Sequence, residues 1–153
     1  MSLIVRSVCI LSLPLVCVFA GCGGSDDSPD RYTLEGSITF DGQPIPAGTI
    51  TLIPDSKKGN QGPAGSGKIK DGKYTTADGG TGIIGGPHIV RVSGFDGNAK
   101  PEEELPMGSP LFPEYEYQYD FPAFENEGPV SVDLKVPKEA ATRKPQQRPQ
   151  DAV

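Results

Sequence analysis

Residues 34–54 read LEGSITFDGQPIPAGTITLIP, and this stretch decides the fold. Leu34, Ile38 and Phe40 alternate there with polar residues, which is the period-two pattern of a strand with one buried face. A second run of the same kind, Thr49–Ile53, follows a link made of glycine, proline and other turn-forming residues. The stretch therefore predicts two strands joined by a short connection.

The same alternation recurs along the rest of the chain. Asp71-Gly72 separates two short strand candidates and is a pair that favours a two-residue type I′ hairpin. A long excursion from Gly94 to Gly128 carries acids, prolines and most of the aromatic residues. The further strand candidates are 64–70, 73–77, 89–93, 114–120 and 130–136. We therefore expect an all-β protein, a single immunoglobulin-like or prealbumin-like sandwich of about seven strands.

Residues 1–21 have the organisation of a signal peptide. Arg6 precedes an apolar run, Val8–Phe19, which is too short to span a bilayer as a helix. The run leads into Ala20-Gly21-Cys22, which resembles the lipobox of bacterial lipoproteins. There, cleavage after the small residue, here Gly21, leaves a diacylated cysteine, here Cys22, as the new N-terminus. Phe19 departs from the leucine that is usual in that motif, and an ordinary secretory signal is the alternative.

The cysteines fit the same interpretation. Cys9 and Cys17 lie in the segment that would be removed, so Cys22 would be the one cysteine of the mature chain. Acylation would remove a free thiol from an oxidising compartment. Gly23 follows Cys22 where an aspartate would signal retention in the inner membrane, and by resemblance to Gram-negative sorting this predicts the outer membrane. The expected location is thus the cell envelope, with a lipid anchor in the membrane.

Composition divides the rest of the chain. Residues 22–30 comprise Cys22 and a polar stretch rich in Gly, Ser and Asp, which predicts a flexible tether. The sandwich is expected over 31–137, and the polar, aperiodic segment 138–153 is expected to be a disordered tail. The chain of 153 residues has a net charge of −6, so phosphate backbones would be repelled and nucleic acid is not an expected partner.

Several motifs together resemble carboxypeptidase regulatory-like, or transthyretin-like, domains. Residues 34–54 are similar to their opening, in which an Asp-Gly-x-Pro turn separates two strands, the second ending in proline. Asp71-Gly72-Lys73-Tyr74 and residues 86–92 resemble the next two signatures. With Leu111-Phe112-Pro113-Glu114-Tyr115, the combination resembles small lipoproteins of planctomycete-like bacteria over residues 33–136. The resemblance implies a β-sandwich without known catalytic residues, acting as a folding partner, spacer or binding module.

Two glycine-rich stretches superficially match nucleotide-binding motifs. Gly62–Lys68 matches most of a P-loop, but Ile69 stands where Ser or Thr would ligate magnesium. Gly80–Gly85 satisfies GxGxxG. Both motifs must open a helix, and Asp71-Gly72 and Pro87 prevent one. We therefore expect no nucleotide and no cofactor.

His88 is the only histidine in the chain. A Ser-His-Asp triad would have to use it, and a zinc site would lack the usual His or Cys partners, so no metal is expected. At the start of an apolar strand, His88 is more simply a packed core residue. A small-substrate hydrolase with His88 as base remains an alternative function, and it requires His88 exposed in a polar cleft.

Tyr115, Tyr117 and Tyr119 alternate with Glu116, Gln118 and Asp120. In a strand the three rings would share one face, and such a platform binds sugars if the rings are coplanar and exposed. The simpler interpretation is that the tyrosines cover the sandwich edge. The expected function is a membrane-anchored, non-enzymatic module with an envelope protein or polysaccharide as partner, and glycan binding through the tyrosines is an alternative.

Overall fold

The computed structural model describes residues 31–78, 82–123 and 128–142. The strands are β1 (Leu34–Phe40), β2 (Gln43–Pro44), β3 (Ala47–Pro54), β4 (Gly65–Lys70), β5 (Lys73–Thr75), β6 (Gly86–Phe95), β7 (Tyr115–Phe121), β8 (Val130–Ser131) and β9 (Leu134–Val136). The helical elements are 3₁₀ turns at Ser56–Lys58, Pro101–Glu103 and Lys138–Thr142. The predicted all-β class is confirmed. The predicted signal peptide, Cys22 and the tether lie outside the described residues.

The strands form one curled sheet, compatible with a β-sandwich, in the order β2-β1-β5-β4-β3-β6-β7. Neighbours along this path are antiparallel. Glu35 of β1 pairs with Thr75 of β5 and with Ser131 of β8, so β8 and β9 lie on the opposite edge of β1, in the parallel direction. The sheet has nine strands, whereas about seven were expected. Part of the difference comes from counting very short strands such as β2, which has only two residues.

The core lies on one face of this sheet. Ile50 and Leu52 of β3 pair with Val92 and Val90 of β6, and all four side chains are fully buried. Burying such side chains is the main favourable term in folding. The buried core comprises Leu34, Ile38, Ile45, Ile50, Leu52, Ile69, Tyr74, Ile83, Val90, Val92, Phe112, Phe121, Leu134, Val136 and Ala140.

The Asp-Gly pairs make the predicted tight turns. Asp71 and Gly72 have φ values of 50° and 74°, so both residues are left-handed, as a type I′ hairpin between β4 and β5 requires. Asp41 and Gly42, at 48° and 76°, turn β1 into β2 in the same way. Short side chains at the first position and glycine at the second tolerate this conformation, which explains the sequence.

The C-terminal strand differs from its prediction. Residues 130–136 alternate as one strand, yet β8 ends at Ser131 and β9 begins at Leu134. At the break, the Ser37 amide donates to the carboxylate of Asp133 at 3.0 Å, and the Val132 carbonyl accepts from the Tyr74 hydroxyl at 2.8 Å. Side chains thus satisfy the two backbone groups that a regular ladder would pair, and the strand leaves the sheet locally.

Part of the segment expected to be a disordered tail forms a short helical element. Lys138–Thr142 form a 3₁₀ helix, and Ala140 is 1% exposed within the core cluster. Burial of this alanine methyl holds the segment against the domain, a contact that the polar composition of 138–153 conceals. The domain therefore extends to Thr142 at least, and residues 143–153 lie outside the described part of the chain.

The long excursion packs Phe112 into the core before the chain enters β7. Phe112 is buried, and a Cβ on Gly94 would lie 2.8 Å from its ring, so the sheet approaches this ring closely only because residue 94 is glycine. Phe40 packs on the same ring with centroids 4.8 Å apart. The expected strand at 114–120 is confirmed as β7, which pairs with β6.

Candidate functional site

The outer face of the sheet, opposite the core, carries polar side chains in rows that cross the strands. In the first row, Ser37 of β1 pairs with Lys73 of β5, Lys73 with Lys70 of β4, and Lys70 with Ala47 of β3. Asp133 extends this row beyond β1, because its carboxylate accepts from the Ser37 hydroxyl at 2.7 Å.

A second row lies two residues away from the first on each of the four strands. Glu35 pairs with Thr75, Thr75 with Lys68, and Lys68 with Thr49. Side chains two residues apart on a strand point to the same face, so the two rows lie side by side. Together they form a continuous polar surface across β1, β5, β4 and β3.

A groove of about 980 Å³ follows these two rows. Beneath it lie Ile69 and Tyr74, each 3% exposed, and Met107 reaches it from the excursion. The walls are made by the aliphatic stems and polar heads of the row residues. Among the described residues that line the groove, no aromatic ring is exposed. The groove is therefore a shaped, mixed polar and aliphatic surface rather than an aromatic platform.

Opposite charges occupy opposite sides of the groove. Lys68, Lys70 and Lys73 are exposed on β4 and β5, whereas Glu35 and Asp133 stand on the β1 side. The ion pairs found within the described ranges join other residues, and none includes these three lysines. Neighbouring strands lie about 4.8 Å apart, and β5 lies between β1 and β4, so the Cα atoms of Lys68 and Glu35 are roughly 10 Å apart. The groove thus has a cationic wall and an acidic wall.

The acidic wall is fixed by its hydrogen bonds. The Ser37 hydroxyl and amide both donate to Asp133, and they lower the pKa of that carboxyl below its ordinary value. Tyr74 holds the adjacent Val132 carbonyl from the core side, and burial raises the pKa of the Tyr74 phenol. Asp133 is therefore charged at neutral pH and is hydrogen-bonded to Ser37 on the β1 side of the groove.

The predicted tyrosine site has a different geometry from the one a sugar platform requires. Tyr115, Tyr117 and Tyr119 pair with Val92, Val90 and His88, so they share the core face and pack half-buried against the core. The rings of Tyr115 and Tyr117 are tilted by 33°, and the Tyr117 hydroxyl is buried. The rings cover the apolar interior, as the simpler interpretation expected.

Arg91 of β6 engages two acids at the start of β7, Glu114 and Glu116. Arg91 lies between the two strands' outer side chains, with its Nε 3.2 Å from Glu114 and its terminal nitrogen 2.9 Å from Glu116. This fork compensates two of the acids that alternate with the tyrosines. The charges of these two acids are therefore paired within the sheet.

His88 lies in the core rather than in a cleft. It is 1% exposed, its Nδ1 is 2.9 Å from the Gly86 carbonyl oxygen, and its ring meets Phe121 edge-on at 5.3 Å. Burial lowers the pKa of the imidazole, which keeps it neutral. The hydrolase alternative requires an exposed base in a polar cleft, whereas His88 is buried, with the Asn60 amide nitrogen 3.4 Å from its Nδ1.

The lipidation site, Gly21 and Cys22, lies outside the described residues. Within the described ranges no helix is long and apolar enough to cross a membrane. No cluster of three or more His, Cys, Asp or Glu residues with metal-binding spacing occurs in the same part of the chain.

The groove was not among the sites predicted from the sequence. Its signal was present in Lys68, Lys70 and Lys73, because the first two alternate on β4 and the turn at Asp71-Gly72 places Lys73 opposite Lys70. The neighbouring Ser37 and Thr49 could not be placed beside them without the sheet order. The chain matches no protein-family model and no curated protein sequence.

Proposed function

We propose that this protein is a lipid-anchored module of the bacterial cell envelope that acts by binding rather than catalysis. The observation that carries this proposal is the groove on the outer face of the sheet, with its cationic and aliphatic wall. A sheet that buries one face and leaves a shaped, charged surface on the other offers a place for a partner to dock. The groove thereby replaces the tyrosine row as the binding face.

The anchor in this proposal rests on the sequence. Cys22 follows small residues after a short apolar run, and the polar stretch 23–30 precedes the first described residue of the domain. Two acyl chains hold a protein on a membrane far more firmly than one, since each buried CH₂ contributes about 0.8 kcal/mol. Gly23 supports placement in the outer membrane. The tether would let the domain turn its groove toward partners near the membrane surface.

The resemblance to carboxypeptidase regulatory-like, transthyretin-like domains supports the same proposal. The quoted motifs correspond to the β1–β3 region, to the β4–β5 hairpin and to the start of β6. Membership of that family is part of the proposal. The resemblance implies a spacer or binding module, and a groove on the outer face gives such a module a specific surface.

Membrane retention tests the proposal. Membranes from cells expressing the native chain, Cys22→Ser or Cys17→Ser are washed with high salt and with alkaline carbonate, and the protein in each fraction is quantified. Native protein and Cys17→Ser should stay in the membrane, because the expected thioether is on Cys22. Cys22→Ser should lose that retention. Equal retention of Cys22→Ser would contradict a lipid anchor at this residue.

A further inference from the structure

We infer that the groove binds an extended acidic peptide segment of a partner protein, with acidic side chains at alternate positions facing Lys68 and Lys70, and with Lys73 beside Lys70. This inference rests on the proposed binding function and names the chemistry of the occupant. It begins from the spacing of the three lysines and from their lack of ion-pair partners among the described residues.

The spacing of Lys68 and Lys70 matches an extended chain. Lys68 and Lys70 are two residues apart on β4, which places their Cα atoms about 6.8 Å apart on one face. Lys73 is directly opposite Lys70, at a Cα separation of about 5 Å. Alternate side chains of an extended peptide are also about 6.8 Å apart, so successive acidic residues at positions i and i+2 can each meet a lysine.

Among the described residues, no ion pair includes Lys68, Lys70 or Lys73. Lys70 and Lys73 are like charges at a directly paired position of the hairpin, an arrangement that weakens an antiparallel pair. Both are exposed, and so is Lys68. A bound carboxylate between them would replace that repulsion with attraction. The charge on this wall therefore complements an anionic ligand.

The surroundings of the lysines favour a peptide over an anionic glycan. The described groove lining exposes no aromatic ring on which a sugar could stack, and Tyr74 beneath it is 3% exposed. Met107 instead offers a thioether, an adaptable contact for varied side chains. Thr49 and Thr75 place hydroxyls in the same row as Lys68. These groups can bond to a peptide backbone beside its carboxylates.

The acidic wall limits how much negative charge the groove accepts. Glu35 and Asp133 line its β1 side, Asp78 also lines it, and the whole chain has a net charge of −6. A densely charged polyanion would meet these acids and be repelled. A segment with a few spaced acids, lying on the lysine side, would not. The geometry therefore selects a short acidic stretch.

Peptide titrations test this inference. The protein as purified from membranes in detergent is titrated with short fluorescent peptides of alternating Glu and Thr, alternating Gln and Thr, or alternating Lys and Thr. Binding of the Glu peptide should be saturable and should weaken as salt rises. The variant Lys68→Gln/Lys70→Gln/Lys73→Gln should weaken it by at least about tenfold, which corresponds to roughly 1.4 kcal/mol.

A matched control removes three lysines elsewhere. Lys57→Gln/Lys58→Gln/Lys100→Gln changes the net charge equally but leaves the groove intact, so it should bind the Glu peptide like the native chain. Lys68→Glu/Lys70→Glu/Lys73→Glu should bind the Lys peptide instead. Equal weakening by both glutamine triples would mean non-specific attraction and would overturn the inference.

Two further outcomes overturn the inference while leaving the anchor untouched. Equal affinity for the Gln peptide would mean that the groove does not read acidic side chains. Tighter binding of polygalacturonate than of the Glu peptide would assign the lysines to an anionic glycan. Neither result affects membrane retention of the Cys22 variants, so failure of this inference is distinguishable from failure of the proposed anchor.

Discussion

The carboxylate of Asp133 accepts two hydrogen bonds from Ser37, one from the amide at 3.0 Å and one from the hydroxyl at 2.7 Å. These two residues are 96 positions apart in the chain, and their contact joins the first strand of the domain to the last. It also divides the C-terminal strand into β8 and β9 and forms one wall of the groove. A structural junction and the candidate site thus share the same side chains.

The first prediction concerns the acid stability of this junction. Hydrogen bonds from Ser37 lower the pKa of Asp133 in the folded state, so the folded chain binds fewer protons here than the unfolded chain. Its stabilisation is therefore present above the unfolded pKa of about 3.9 and is lost as pH falls through the folded value. Asp133→Asn should flatten the fall in stability below about pH 4, as measured by denaturant unfolding across pH.

Glu35→Gln is the control for that series. Glu35 lies on the same wall, and no hydrogen bond or ion pair of its carboxylate is found among the described residues. Its replacement should leave unchanged the loss of stability at acid pH that is due to Asp133. The same flattening in both variants would show that general charge reduction, and not the Ser37 contact, governs acid stability.

The second prediction concerns Gly36, which lies opposite the break in the last strand. A Cβ at this position would overlap the carbonyl oxygen of Val132, so alanine must push the C-terminal strand away from β1. Gly36→Ala should lower the free energy of unfolding by about 1–3 kcal/mol, as overpacking usually does. Gly128→Ala, also at positive φ but with nothing within 4 Å, should cost less. Equal costs would show that backbone conformation rather than this contact matters.

The strands themselves could be predicted because their signal is local. The alternation of Leu34, Ile38 and Phe40, and the turn at Asp71-Gly72, depend only on neighbouring residues, and the structure confirms both. The break at Val132-Asp133 could not be predicted in the same way. It depends on Ser37 and Tyr74, which reach the strand from distant parts of the chain.

The candidate site could not be predicted from the sequence for a related reason. Alternation places Tyr115, Tyr117 and Tyr119 on one face, but only pairing with β6 identifies that face as the core side. The groove likewise needs the order β1-β5-β4-β3, which places Ser37, Lys73, Lys70 and Ala47 in one row. Register between strands distant in sequence carries this information, and a single sequence does not state it.

The third prediction compares two buried phenols. The Tyr74 hydroxyl donates to the Val132 carbonyl, whereas the buried Tyr117 hydroxyl has no hydrogen-bond partner among the described residues. Tyr74→Phe should destabilise the domain by about 1 kcal/mol, because the partly buried Val132 carbonyl loses its donor. Tyr117→Phe should be neutral or stabilising, because it removes an unsatisfied polar atom. Thermal unfolding of both variants measures the difference, and the reverse order of stability would contradict this assignment.

The fourth prediction concerns His88 and neutral pH. Burial lowers the pKa of this imidazole in the folded state, against weaker opposing effects of the Gly86 carbonyl and Asp120. The unfolded chain therefore takes up a proton first, so stability should fall as pH drops below about 6.5 and continue falling to the folded pKa. This window lies above that of Asp133. His88 is the one histidine, so its effect can be isolated.

His88→Leu should remove that dependence. Leucine suits the apolar surroundings beside Phe121, although the bond at the Gly86 carbonyl is lost. The free energy of unfolding of the variant should therefore be nearly the same at pH 7.5 and pH 5.5, whereas that of the native chain should be clearly lower at pH 5.5. An unchanged pH dependence in His88→Leu would mean that another group titrates in this range.

The central claim is that a lipid on Cys22 holds this binding domain at the membrane. Intact mass spectrometry of the protein extracted from native membranes tests it most directly. The account predicts a chain that begins at Cys22 and is heavier than its sequence by the mass of attached acyl chains, a form absent when Cys22→Ser is expressed in the same cells. A chain that begins at another residue and carries no lipid would contradict it.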